Sequence, residues 1–562
     1  MTMFDAIVVG SGMSGGMAAK ELCERGLRTL VLERGRAVRH LRDYPTMNLR
    51  SWELPLRGAV PRALEQANPV VSGAAGFDDA TRHFFVPDAD HPYVQEQPFQ
   101  WIRGYQVGGK SLIWGRACAR WSRGDFLAPA RDGYGIAWPI GYDDVAPWYS
   151  RVERFIGVCG SLEGIESMPD GEFLPPNEFN CVEQHLSAVI RERFGRHYVP
   201  GRWAHLTEAR EIHRQQGRSE CRNRDLCMRG CPYGGYFSSN SSTLPWAERT
   251  GNLVLRPDAV VHSVLLDEAS GFARGVRVID AQTREHFDYL APVVFLNASA
   301  LNTNLILLNS RSARFPRGLG NDNGLLGHHI GFHNYRAGAH AAIDGYTDQY
   351  YAVRRPSENI IANFRNLRGR EADFPGGYVI YSGASRTSLP DRTIGPRAGA
   401  AFKDAVRQPG GWEAYMYMQG ETVMRRENHV RLSDDRVDPW GIPQLVVSVG
   451  YSEDDVRMAA DFRREAQAMF AAAGFRDIET WDNPQPPGLD IHEMGGVRMG
   501  RDPATSLLDG NNRMHACRNV FVTDGACMAS TGSQSPSILY MALTARAAAF
   551  AAAELKSRGR VA

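Results

Sequence analysis

The sequence predicts an α/β protein: a Rossmann-type dinucleotide-binding domain carrying an inserted, mostly antiparallel β domain for substrate. Three observations predict it. Near the N-terminus an apolar run meets a glycine-rich turn, a helical stretch and a second apolar run that ends in an acid. From about Gly331 to Val449, short alternating runs such as GGYVIYSGAS and QLVVSVGY dominate. The chain then returns to α/β character, with the strand VFVTDGA (Val520–Ala526) and an alanine-rich helix over Ser537–Leu555.

The first unit carries the most information. Ile7, Val8 and Val9 read as a buried parallel strand, and the turn Gly10-Ser11-Gly12-Met13-Ser14-Gly15 follows it. Gly10 permits the tight bend, Gly12 lets backbone approach a pyrophosphate, and Gly15 lets the next helix pack on the strand. Ser14 stands at the start of that helix, whose N–H groups would face the phosphates. Glu33 ends the second strand, Thr29–Leu32, where an acid accepts the ribose hydroxyls of an adenosine and disfavours a 2′-phosphate.

Further along, Ala37–Phe99 is rich in Pro, Arg and Asp without periodicity, as in a long covering loop. A second glycine-dense segment, Gly104–Gly115, places small residues where backbone must come close to something. Asp143–Phe155 has helical spacing with Asp143 or Asp144 as cap. Asn252–Val264 reads as strand and turn, and Val293–Asn297 as a buried strand before the helix Leu301–Asn309. The expected division is residues 1–330 for the nucleotide domain, 331–480 for the substrate domain and 481–562 for the return to the nucleotide domain.

With 562 residues, 43% hydrophobic and 23% charged, the chain is an ordinary globular protein of two or more domains. A net charge of +1 gives no electrostatic case for nucleic acid or a membrane surface. No apolar run reads as long enough to cross a bilayer, and no signal-peptide pattern precedes the first strand. Synthesis in the cytoplasm is expected, with passage to the periplasm only alongside a partner that carries an export signal.

Taken together, GSGMSGG with Glu33, GGKSLIWG at Gly108–Gly115, His492-Glu-Met-Gly-Gly-Val-Arg-Met-Gly500, and Asn519–Gly525 followed by Ser535-Pro536 and a final helix form a specific set. On these motifs the chain resembles the glucose-methanol-choline (GMC) oxidoreductase family over essentially its whole length. Within the family, VGGKSLIWGRACARWSRGDF, WPIGYDDVAPWYSRVERFIGV and the cysteine-bearing CPYGGYFSSNSSTLPWA resemble flavoprotein subunits of bacterial glucoside 3-dehydrogenases and gluconate or glucose dehydrogenases. The resemblance implies FAD rather than NAD. It implies contacts from Gly108, Gly109, Ser111, Trp114, Val261, Asp524 and Pro536, the last with N–H groups of the final helix near the flavin pyrimidine. Noncovalent attachment is favoured, because Lys110, Ser111 and Leu112 stand where the family's linking histidine is expected.

Oxidising an alcohol on a flavin needs one base within reach of the hydroxyl, and His492 is the candidate, since neutral imidazole accepts a proton near pH 7. The family's second catalytic residue is a histidine or asparagine before a proline. Here Ser535 precedes Pro536, so Ser535 is expected to help with Gln534 or a water completing the site. Trp412, Tyr415, Tyr417 and Gln419 are available to a sugar.

Nine cysteines, an odd number, exclude a complete disulfide framework. Cys221, Cys227 and Cys231 cluster in ECRNRDLCMRGCPYGG, and three thiolates at loop spacing suit a metal. Zinc with His213 as a fourth ligand, reduced thiols, and a labile disulfide all remain open. The resemblance implies a three-iron iron–sulfur cluster relaying electrons one at a time to a cytochrome-type acceptor, and a small partner subunit. The expected activity is oxidation of a ring hydroxyl, C3 of glucosides foremost. An oxygen-using oxidase and a weakly catalytic flavin-holding subunit are the alternatives.

Overall fold

The computed structural model describes residues 4–349, 357–386, 398–407 and 410–557. A five-stranded parallel sheet runs in the order Val520–Val522, Val293–Leu296, Ala6–Val9, Thr29–Leu32, Leu253–Arg256. Segments from both ends of the chain therefore build one sheet. Every residue of Ala6–Val9, Thr29–Leu32 and Val293–Leu296 is buried, as a parallel sheet with both faces covered requires. The helices Met13–Glu24 and Ser537–Ser557 pack on each other and on this sheet through Leu22, Ala547, Ala548 and Ala551.

The helix Ser537–Ser557 is long and apolar enough to cross a membrane by length and composition, contrary to the expectation that no such run exists. Alanine makes its hydropathy modest by eye, and two thirds of the apolar window is buried inside the fold (67%). Its apolarity is accounted for by the core it fills.

The substrate side is a seven-stranded antiparallel sheet. Its main order is Arg476–Asp482, Ala337–Ile343, Trp412–Glu421, Tyr378–Arg386, Asn359–Ile361, Tyr198–Pro200, with His333–Asn334 pairing on Trp412–Glu421. The helices Cys181–Phe194 and Glu453–Ala472 join its apolar core, contributing Leu186, Ile190, Phe462 and Phe470. Ser452 caps the second of these: its hydroxyl accepts from Asp455 N–H and the Asp455 carboxylate accepts from Ser452 N–H.

Two boundaries differ from the expected division. Tyr198–Pro200 and Cys181–Phe194, placed by sequence in the nucleotide domain, belong to the antiparallel layer. Conversely QLVVSVGY contributes the strand Pro443–Ser448 to a small separate sheet with His429–Val437 and Val94–Gln95, and Leu445 and Val447 join the core around the nucleotide fold. Short β-type runs carry no mark of which sheet they join, because pairing is decided by distant partners. In the helix Tyr142–Ile156 the cap residue is Gly141, whose N–H donates to Asp144 at 2.8 Å.

Candidate active site

One cavity runs from the glycine turn of the parallel sheet to the face of the antiparallel sheet, with about 1840 Å³ of empty space including its open mouth. At the first end Gly10, at φ +95°, leaves no room for a side chain: a Cβ would lie 2.3 Å from the carbonyl oxygen of Asn297. A Cβ on Gly15 would lie 2.0 Å from the carbonyl oxygen of Gly10, so this glycine sets the helix directly on the turn. Gly12 is different. Its nearest neighbour would be 4.0 Å away, so its missing side chain leaves cavity space. The helix that starts beside it has no side-chain cap and no acid in its first turn, and its N-terminal donors are left for a ligand.

Glu33 and Ser14 both line this end. The Glu33 carboxylate accepts from Ser11 N–H (3.1 Å), the Ser11 hydroxyl (2.6 Å) and Gly35 N–H (3.0 Å), while burial raises its pKa against those bonds. The Ser11 oxygen in turn accepts from Gly108 N–H at 2.9 Å, joining the two glycine segments. Ser11 was not singled out from sequence, although it sits inside the motif. Gly108 holds φ +92° against Asn240 and does not itself line the cavity, whereas Gly109, Ser111 and Trp114 do. Ser111 donates to the Gly108 carbonyl (2.5 Å) and accepts from Ser239 N–H (3.0 Å), and Trp114 donates to the Phe237 carbonyl (2.9 Å). Val261 lies in the strand Ala259–Asp267 and lines a small neighbouring recess that shares Gly10 with the main cavity. Asp524 lines the main cavity, held by Thr303 hydroxyl (2.6 Å) and Ala526 N–H (3.0 Å), and burial pushes it up to about 6. Ser537, the first residue of the final helix, faces the cavity; Pro536 does not. The glycine cradle, the uncapped helix and the acid at the ribose position fit the dinucleotide of FAD.

At the other end stands His492, half-buried, with Nδ1 2.8 Å from Nδ1 of the buried His333. His333 comes from the short strand paired on Trp412–Glu421, and its Nε2 contacts the carbonyls of Thr531 (3.1 Å) and Gly532 (3.0 Å). Carbonyls only accept, so His333 Nε2 carries its proton. Burial lowers the His333 pKa to about 4, leaving the ring neutral with a bare Nδ1. That Nδ1 must accept from His492 Nδ1–H. Burial, helped by His333 and Lys110, drives the His492 pKa well below 6.5, so the ring is neutral and its Nε2 is left as the proton acceptor. Asp490 completes a cluster of three ligand atoms within 4.8 Å with the two histidines. With the imidazoles hydrogen-bonded to each other, His492 Nδ1 carries a proton and the His333 Nδ1 lone pair is taken up, so neither nitrogen is offered to an ion. The Asp490 carboxylate accepts His333 backbone N–H at 2.6 Å instead.

Ser535 lines the cavity, and its hydroxyl donates to Gln419 Oε1 at 3.3 Å. The Tyr381 hydroxyl, 3.0 Å away, therefore donates to Ser535, and Gln419 Nε2 donates to the Ser533 carbonyl. Gln534 does not line the cavity. Its side chain is buried away from the cavity lining, and its backbone carbonyl accepts from Trp121 Nε1. Tyr381 takes the neighbouring place. Of the residues thought available to sugar, Tyr417 and Gln419 line the cavity while Tyr415 and Trp412 do not. The two-residue period of the strand Trp412–Glu421 turns Trp412, Met416 and Met418 into the opposite core.

The cysteines occupy one loop wound through left-handed positions at Asn223, Asp225, Gly230 and Gly234. Cys221 and Cys231 sulfurs accept from Asn223 N–H (3.4 Å) and Gly235 N–H (3.3 Å). His213 is turned to Arg154 and Arg210 and is not placed as a fourth ligand, whereas Nε2 of the buried His205 lies 4.0 Å from Cys227 Sγ. Met228, next to Cys227, lines the main cavity, and Arg116 donates to its sulfur at 3.6 Å.

GMC oxidoreductase family models match residues 4–333 and 424–544. Paromamine 6′-oxidase of Streptomyces fradiae is 27% identical over 591 residues, covering 99% of this chain and 92% of its own. The fructose dehydrogenase large subunit of Gluconobacter japonicus is 24% identical, covering 97% of each chain. Formate oxidase of Aspergillus oryzae shares the fold with a TM-score of 0.62 at 13% identity, over 99% of both chains.

Proposed function

The chain belongs to the GMC oxidoreductases, FAD-binding enzymes that act on CH–OH donors, and from that premise we propose that it is a sugar dehydrogenase oxidising a secondary ring hydroxyl, C3 of a glucoside foremost. The observation that carries the reading is the His333–His492 pair, which leaves one bare imidazole nitrogen at the end of the cavity away from the glycine turn. FAD, when bound, supplies the acceptor for the substrate hydride. The chain's own residues do the remainder. His492 Nε2 takes the hydroxyl proton, and His333, braced on two carbonyls, holds the ring's orientation. Ser535, Tyr381 and Gln419 form a hydrogen-bonded polar stretch of the same cavity wall.

For electron exit we propose the cysteine loop, bearing a three-iron cluster on Cys221, Cys227 and Cys231. Its support is that Met228 brings the loop to the cavity wall and that N–H groups donate to two of the sulfurs, as at iron–sulfur sites. A partner subunit and a cytochrome-type acceptor belong to the same proposal, with export alongside that partner; the fructose relative is named a large subunit. Steady-state turnover of a methyl glucoside with a one-electron dye, against oxygen, tests this, with the product carbon read by NMR. Dye reduction with a 3-keto product and about three irons per chain supports it; turnover on oxygen without iron replaces it with an oxidase.

A further inference from the structure

The substrate end of the cavity holds a carboxyl group, Glu358, that the proton transfer does not use. Glu358 lines the wall with both carboxylate oxygens engaged by phenols: Tyr415 donates to Oε1 at 3.0 Å and Tyr417 to Oε2. Its backbone carbonyl is fixed by Trp203 Nε1 at 2.7 Å. Two donors leave a carboxylate with unused lone pairs. No Lys or Arg among the described residues lies close enough to act on it; burial raises its pKa and the two phenols alone oppose that. The other acids on the cavity are held differently: Glu493 has Lys110 at 3.0 Å, and Glu33, Asp490 and Asp524 each accept backbone N–H groups.

Around Glu358 the wall is aromatic. Tyr335 meets Tyr417 edge-on (centroids 5.0 Å apart), Tyr381 stacks on Tyr417 (5.3 Å), and Trp203 leans on Tyr381 (5.9 Å). Tyr335, Tyr381, Tyr417 and Trp203 all line the cavity, and the Tyr381 hydroxyl is bonded to Ser535. An acid with no cationic partner among the described residues, set among π faces, suits an ammonium group: its three N–H donors can use the free lone pairs, its charge favours the ionised carboxylate, and the ring faces attract a cation. A neutral hydroxyl could fill the lone pairs but would do nothing to favour ionisation of a carboxyl whose pKa burial raises.

We propose that Glu358 and the surrounding tyrosines recognise a protonated amino group, so that the sugar oxidised here is an aminated one. This rests on the dehydrogenase reading and narrows its substrate class. The test uses flavin-loaded protein under anaerobic conditions at pH 7. Methyl α-glucoside is compared with its 2-amino-2-deoxy and 6-amino-6-deoxy counterparts and with their N-acetyl forms, reading the concentration that half-saturates flavin bleaching.

At least one free amine is expected to half-saturate at a tenfold or more lower concentration than the neutral glucoside, with its N-acetyl form losing the advantage. Glu358→Gln keeps an acceptor for the phenols and should collapse the ratio towards one by raising the amine value. Equal values for amine and neutral glucoside, a preference for the neutral sugar, or an N-acetyl form as good as the amine would overturn the proposal and leave the dehydrogenase reading standing. If neither neutral nor aminated sugars bleach a protein with full flavin content, both fall. Should Glu358→Gln not fold, the ratio in the natural protein and the N-acetyl comparison still decide.

Discussion

On the proposed reading the chemical centre of this protein is a neutral histidine half-buried beside a second, buried neutral histidine, and its tautomer is dictated by two backbone carbonyls. Removing the base should slow flavin reduction without emptying the cofactor site: His492→Ala is expected to keep its FAD and to lose ~10²–10⁴-fold in the anaerobic reduction rate. An unchanged rate would remove His492 from the reaction. The pH dependence follows from the same geometry. A base acts when unprotonated, and the pKa of His492 lies well below 6.5. The reduction rate should therefore stay flat as pH falls from 8 to 6.5, where an ordinary histidine would already be half lost. His492 was legible in the sequence because its glycine-flanked motif is distinctive. His333, 159 residues earlier, was not, since only the fold brings it to 2.8 Å. The same holds for Tyr381 and Glu358, ordinary residues in ordinary strands until a cavity forms in front of them.

Secondary-structure elements set what each position can tolerate, and the glycine turn separates two roles cleanly. Gly12→Ala has room in the protein but projects into cavity space, so it should leave thermal stability near the natural value while lowering FAD retention. Gly15→Ala drives a methyl into the Gly10 carbonyl and should cost about 1–3 kcal/mol of stability, read by denaturant unfolding. At the end of the strand Trp412–Glu421, burial and the nearby Asp125 push Glu421 up to about 8. Its folded pKa exceeds its ordinary value of 4.5, so the folded state binds a proton that the unfolded chain gives up between those pH values. Stability from this group is present below 4.5 and lost as pH rises to about 8. Glu421→Gln keeps an acceptor for Tyr134 and should flatten the fall in melting temperature between pH 5 and 8; an unaltered slope would mean that Glu421 is charged in the fold. The strands and helix of the nucleotide unit were legible because their residues are local and periodic. Which sheet Tyr198–Pro200 or Pro443–Ser448 would join was not, because that is decided by partners far away in sequence.

Across the whole molecule, the two ends of the chain close one parallel sheet and the middle supplies an antiparallel wall, so that a cofactor cradle and a proton acceptor face a single cavity. The architecture could be read from the return to α/β character after residue 480, whereas the domain edges could not, since helices and strands from the first 200 residues cross into the substrate layer. The cysteine loop meets this cavity at Met228. Cys227→Ser should leave sugar-driven flavin bleaching in place while lowering both iron content and the rate of electron delivery to an external one-electron acceptor. If electron delivery is unaffected, the loop is no relay. The central claim, that this cavity oxidises a sugar hydroxyl on FAD with His492 as base, is met most directly by an anaerobic absorbance titration of the flavin-loaded protein with neutral and aminated glucosides. Stoichiometric loss of the oxidised flavin bands is the predicted result; bands that stay unchanged through every sugar added would contradict it.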